Sequence, residues 1–206
     1  WQSFDSPYDA FLTSGKPLDP ASERGRQLFF GEAGCSNCHN GPLLSDQKFY
    51  ALGLPAFGPG RARRWDPTAR DVGRMGESDD LRDAYRFKTP RLRNIALTGP
   101  YGHNGAYPTL EGILRHHLDP QGMRAAWTRD MAALPPVPWL EEIDFVIQSD
   151  RYEMARQAAK IDIEPRSLTD NQIADIVKFL HSLTGKTATK SRLGSPEFVP
   201  SGLPVD

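Results

Sequence analysis

The chain has 206 residues, 38% of them apolar, and a formal net charge of −1. That is the composition of an ordinary globular protein with one large or two small domains, and nothing in its charge balance suggests a nucleic-acid partner. No apolar run approaches membrane-spanning length, and no secretion signal is visible.

In chain order, the first strong pattern is DPASERGRQLFFG. Asp19 is placed as an N-cap, Pro20 at the first helical position and Gly31 as a stop, which predicts a helix. It leads into Gly34–His39, GCSNCH, which holds both cysteines of the chain, Cys35 and Cys38, with His39 directly after them. Three chemistries use two thiols at this spacing. A structural zinc site needs four protein ligands, and no second cysteine pair or spaced histidine pair exists to complete one. A thioredoxin-type dithiol sits between the strand and helix of a βαβ unit, and no β-branched runs alternate with helices here. The third chemistry is C-x-x-C-H attachment of a c-type haem, in which Cys35 and Cys38 add to the vinyl groups and His39 becomes the proximal iron ligand. This is the preferred reading, against a chance coincidence of spacing. A bulky planar cofactor filling core volume also suits a chain with eighteen Pro and eighteen Gly, hence much loop. Covalent haem attachment further implies export to the bacterial periplasm, with any signal absent from this chain.

Residues 41–105 hold few periodic patterns and many turn residues, with ten Lys or Arg against six acids between Arg61 and Arg93. A long ordered loop over the haem is expected. Lys88, Arg91 and Arg93 are candidate partners of the haem propionates, a solvated surface being the plainer reading for most of the basic residues. Helices are predicted over TLEGILRHHL and MRAAWTRDMAAL, then a proline break at PPVP and a helical patch around SDRYEMARQAAK. The clearest helix is LTDNQIADIVKFLHSLTG. Thr169 and Gln172 form a capping-box pair, and Ile173, Ile176, Val177, Leu180 and Leu183 follow one face until Gly185. The tail, 186–206, is rich in Pro, Gly and Ser and is expected to be irregular.

The fold class expected is mainly α, a class I cytochrome c-like haem domain over 20–185 with a long loop and helical insertions, the insertion covering about residues 119–168. In that fold the first and last helices cross closely where a glycine precedes an aromatic residue by four. Gly25 and Phe29 have this spacing, with Phe179 and Leu180 as partners. Two unrelated amphipathic helices are the alternative.

The run FKTPRLRNIALTGPYGHNGAYPTLEGILRHH resembles the C-terminal half of the bacterial dihaem cytochrome c peroxidase family, which includes the methylamine-utilisation (MauG-like) enzymes. The likeness extends to SPYDAFL, RGRQLFFGEAGCSNCHNGPLLSDQKFYALG and DIVKFLHSLTG, over most of residues 6–185. Its signature is F-K-T-P-x-L-R-N with T-x-P-Y-x-H-x-G at a fixed distance after a haem motif. The resemblance implies two haems in full-length members, an N-terminal one that meets the oxidant and a C-terminal one that passes electrons. This chain has one C-x-x-C-H, and residues 1–19 match the linker before the second domain. The expectation is therefore a fragment lacking the N-terminal haem domain, a single-haem derivative being the alternative.

The same resemblance implies that His103 lies near the haem and the domain interface, a satisfied, partly buried histidine being the plainer reading. It implies backbone calcium ligation at Thr98 and Pro100, although an asparagine of the N-terminal domain would be needed to complete that site. It places the distal iron ligand fourteen residues after His103, at His117, where relatives offer methionine or tyrosine. His116 is the chief rival, but helix neighbours project about 100° apart, so only one faces the haem. Met123, Met131 and Met154 are further rivals. The function expected is outer-sphere electron transfer with a redox-protein donor or acceptor, as the relay half of a peroxidase-like oxidoreductase. A free-standing single-haem carrier or a haem-based sensor is the alternative.

Overall fold

The structure, a computed structural model, describes residues 4–58, 70–132 and 137–189, and the backbone alone of Glu141, Glu142 and Thr189. Some expectations above lie outside the described residues: Trp1–Ser3 of the linker, Arg61, Arg63 and Arg64 of the charged loop, the end of MRAAWTRDMAAL, the first two prolines of PPVP, and the tail from Lys190 onward.

Helices α1 (Pro7–Ser14), α2 (Pro20–Phe30), α3 (Met75–Ser78), α4 (Leu110–Leu118), α5 (Pro120–Ala126), α6 (Glu141–Asp144), α7 (Arg151–Ala158), α8 (Asp170–Ser182) and α9 (Lys186–Thr189) are joined by loops and short 3-10 turns. Strands β1 (Phe49–Tyr50) and β2 (Phe87–Lys88) pair antiparallel, Phe49 opposite Lys88 and Tyr50 opposite Phe87. The expected mainly α class agrees with this architecture. No helix among the described residues is long and apolar enough to cross a membrane.

The core is organised around the crossing of α2 and α8. Both begin where their caps dictate: the Asp19 carboxylate accepts from the Ser22 N–H with Pro20 at the first position, and Thr169 and Gln172 cap each other reciprocally. At the crossing Gly25 lies against backbone, and a Cβ placed there would come 1.9 Å from the Asp175 carbonyl oxygen. One turn on, Phe29 packs on Phe179 with ring centroids 5.2 Å apart, and Phe179 is fully buried. Polar contacts frame the crossing: the Ser22 hydroxyl donates to the Lys178 carbonyl, and Arg24 grips the Asp175 carboxylate with two hydrogen bonds.

The segment expected as linker contains α1. Eight residues are too few to be helical alone, but Ser6 and Asp9 form a capping box, and Pro7 occupies the first position. Tertiary contacts complete it. Tyr8 packs edge-on against Phe179 at 5.2 Å, and the buried Asp9 carboxylate pairs with Arg93 at 2.8 Å. Further corrections concern the insertion and the tail. The helix expected over MRAAWTRDMAAL starts earlier, because Asp119 caps it and Pro120 opens it, and stops at Ala126. Trp127 turns extended so that its indole stacks on Phe57 and donates to the Ala106 carbonyl, and Arg129–Met131 is only a 3-10 turn. Burial of one large ring overrides the helical pattern there. The start of the tail, expected to be irregular, forms α9.

Replacing Gly25 with alanine should separate α2 from α8, since the obstruction is backbone and no side chain can swing away. A loss of about 1–3 kcal/mol is expected from such overpacking, read as a lower urea midpoint at unchanged slope.

Candidate functional site: two facing histidines

The GCSNCH segment folds as one tight turn. Gly34 adopts φ 65°, in the left-handed region, and the 3-10 turn Cys35–Asn37 follows. The His39 N–H closes it on the Cys35 carbonyl at 2.9 Å. The position Gly34 leaves vacant is covered by the guanidinium of Arg166, 2.8 Å from where a Cβ would sit. Cys35 and Cys38 are both free thiols. Burial pushes Cys35 up to about 11 and raises Cys38 as well, so neither is the exposed low-pKa thiolate that dithiol exchange requires.

His39 points inward, and its Nδ1 lies 3.1 Å from the carbonyl of Leu44. Leu44 is a buried leucine held at φ 51°, a left-handed conformation that costs about 1–2 kcal/mol for a side chain of this kind. That conformation presents its carbonyl to the imidazole. Opposite stands His117 of α4, whose Nδ1 lies 2.8 Å from the Ile113 carbonyl one turn back. The two ring centroids are 6.4 Å apart.

These contacts settle the protonation of both rings. A carbonyl only accepts, so each Nδ1 carries hydrogen. Burial lowers both pKa values, that of His39 to about 4 with the His117 ring contributing, so both imidazoles are neutral and Nε2 keeps its lone pair. This is the state a metal-ligating histidine needs, with the second nitrogen fixed by a backbone acceptor. A metal–imidazole bond is about 2 Å long. One ion between two such rings therefore sets the centroids about 6 Å apart, and the pair fits an iron held from both sides. The thiols of Cys35 and Cys38, one turn before His39, fit the covalent attachment of its porphyrin.

His116 is placed differently. It is fully buried, its Nε2 lies 2.8 Å from the Leu52 carbonyl, and its Nδ1 lies 2.9 Å from the Tyr107 hydroxyl. The carbonyl requires an N–H at Nε2, and Tyr107 donates to Nδ1, so no lone pair is left. Burial holds His116 at about 4 and pushes Tyr107 up to about 12. The methionine rivals are also placed elsewhere. The sulfur of Met154 meets Arg124, Met123 packs in the cluster of Phe57, Tyr107 and Trp127, and Met131 is exposed.

The remaining sequence candidates are dispersed. Arg93 pairs with Asp9 and donates to the Pro42 carbonyl, while Lys88 and Arg91 are exposed. His103 meets the Asp71 carboxylate at 2.7 Å and stacks on Phe87 at 3.7 Å, at the surface. Thr98 and Pro100 are exposed, the Thr98 hydroxyl donating to the Ile95 carbonyl. Among the described residues no group of three or more His, Cys, Asp or Glu side chains is arranged to hold a metal ion. Sequence reasoning did not single out Leu44, Leu52 or Tyr107 as parts of the site. Leu44 and Leu52 act through backbone carbonyls, which no residue type signals, and Tyr107 acts through a hydroxyl contact nine residues away.

No family model matches the chain. The cytochrome-c peroxidase IdrP1 of Denitromonas iodatirespirans is 33% identical over 161 residues, which cover 62% of this chain and 43% of that protein. The cytochrome c peroxidase Ccp of Escherichia coli (strain K12) is 31% identical over 184 residues, 88% of this chain and 29% of that protein. Among solved structures, a MauG-like protein associated with microbial copper homeostasis superposes with a TM-score of 0.67 at 28% identity, over 92% of this chain and 55% of the other. The chain thus spans less than half the length of these curated relatives.

Gly34→Ala should cost about 1–2 kcal/mol, because an alanine is forced into the left-handed region. Arg166 can swing aside, so most of the cost comes from φ. Thermal denaturation of Gly34→Ala beside Arg166→Ala separates the two contributions, and only the glycine variant should lose that amount.

Proposed function

This chain belongs to the bacterial dihaem cytochrome c peroxidase and MauG-like family over the part of those proteins that it spans, and we propose that it is a haem c module that relays electrons. The observation that carries the proposal is the pair of neutral imidazoles, 6.4 Å apart, beside two partly buried thiols. In this reading Cys35 and Cys38 hold one haem through thioether bonds, His39 is the proximal ligand and His117 the distal one. The exposed Lys88 and Arg91 are the candidates to meet its propionates, since Arg93 is already paired with Asp9. Thioether attachment implies a periplasmic site of assembly.

The bound haem supplies an iron that gains and loses one electron. The residues of this chain keep that exchange free of bond making. His39 and His117, each fixed by a carbonyl, would both hold the iron, and this would leave no position on it for peroxide or water. His39 and His117 are both partly buried, and the same two donors would serve both oxidation states, so little would need to rearrange when the charge changes. Two imidazoles would favour the ferric state more than the His/Met pair of other cytochromes does, which would give such a centre a comparatively low potential. The relay role further implies a companion haem domain where an oxidant reacts, and a redox protein as electron donor.

Acid–acetone extraction should leave the haem on the polypeptide, and His117→Ala should turn a low-spin ferric spectrum high-spin. Extraction of the haem into the organic phase overturns the reading. The chain should also show no peroxidase turnover with a reduced cytochrome donor, and turnover of ~1–10³ per second, the range of ordinary enzymes, would contradict the relay role.

A further inference from the structure

His117 is brought to His39 by a helix of nine residues, α4, whose buried stripe is Leu110, Leu114 and Leu118. Apolar burial has no direction, so three leucines in a core tolerate small rotations of the helix. An imidazole bound to iron does not, because a site of this kind must be held to within about 0.5 Å and 10–20°. Directional contacts are needed to set the rotation, and α4 has them at His116. That ring projects about 100° from His117, away from the leucine stripe, yet it is completely buried and both of its nitrogens are bonded.

The acceptor of one bond, Leu52, belongs to a strip that is itself immobilised. The Ala51 N–H donates to the Asp162 carboxylate at 2.9 Å, and the Asp162 N–H returns a bond to the Ala51 carbonyl at 3.1 Å. Arg124, buried, donates to the Gly53 carbonyl at 3.0 Å and with its other nitrogen to Gln157 at 2.9 Å. Asp162, Arg124 and Gln157 all lie in the 119–168 insertion. The donor of the other bond, Tyr107, is fixed by the backbone pairing of Tyr101 with Tyr107.

We infer that His116 is a positioning residue: its bonds to Leu52 and Tyr107 set the rotation of α4 that aims His117 at His39, and the 119–168 insertion braces the Leu52 anchor. This rests on the reading of His39 and His117 as the iron ligands. It also assigns the insertion a task at the haem rather than at the surface.

The test uses the haem-loaded protein and reads the ferric spin state and the carbon monoxide affinity of the reduced form. His116→Phe keeps the bulk and removes both bonds. It should create a high-spin fraction and tighten carbon monoxide binding about 10-fold, the lower end of what loss of a supporting contact does at metal sites. His116→Gln, able to donate to Leu52 and accept from Tyr107, should restore the parent spectrum, which a purely space-filling role does not explain. Tyr107→Phe removes one bond and should move both readouts the same way by less. A folded His116→Phe protein with the parent spin state and affinity overturns the inference. If that variant does not fold, an unchanged Tyr107→Phe protein overturns it. His117→Ala separates this from the parent reading: an unchanged spectrum there refutes the ligand assignment itself.

Discussion

The contact of Gly25 with the backbone of Asp175 and Ile176 is the constraint on which the rest of the molecule depends. It lets α2 and α8 approach without side chains between them, and so determines where each helix ends. The C-terminal end of α2 feeds directly into the turn that carries Cys35, Cys38 and His39. Beyond α8, Leu183 accepts from the Asn94 N–H and Gly185 donates to the Asn94 side chain, which ties the 89–97 segment to the same frame. The proximal side of the site is therefore built outward from one crossing, with Phe29, Phe179 and Tyr8 filling the space beside it.

The distal side is built by different forces. α4 packs against α8 through apolar side chains, but away from that face it buries its own His116, and α5 and α7 add the buried polar groups Arg124, Gln157 and Glu153. Glu153 is fully buried between Arg70 and Arg156, at 2.9 and 2.8 Å, and Gln157 links it to Arg124. Removing one member of such a network leaves a charge or dipole stranded in a low-dielectric interior, so each partner holds the others in one arrangement. Two halves of one site thus rest on two kinds of interaction: close backbone contact on the His39 side and directional hydrogen bonding on the His117 side.

How much of this the sequence disclosed can be seen residue by residue. The caps at Asp19 and Thr169 and the stops near Gly31 and Gly185 are local signals, and α2 and α8 begin directly after those caps and end just before those glycines, at Phe30 and Ser182. The glycine–aromatic spacing of Gly25 and Phe29 disclosed the crossing because only a missing side chain permits it. The Trp127 region misled, since a helical pattern there competes with the burial of one indole, and α1 was hidden because its stability comes from Asp9–Arg93 and Tyr8–Phe179.

The sequence by itself determined the chemistry on offer: two thiols and an imidazole at C-x-x-C-H spacing, and two adjacent histidines on one capped helix. It determined this because those features depend on covalent spacing and helical period, both local. The family resemblance placed the distal ligand at His117, but the composition and period of the helix serve His116 equally, and what turns His117 rather than His116 toward His39 is tertiary structure. That choice turns on where the Leu52 carbonyl and the Tyr107 hydroxyl stand, 64 and 9 residues from His116 along the chain, and on burial that lowers the pKa of all three imidazoles and keeps them neutral. A hydrogen bond between distant segments leaves no mark on local pattern, because its partners are brought together by the packing of everything between them.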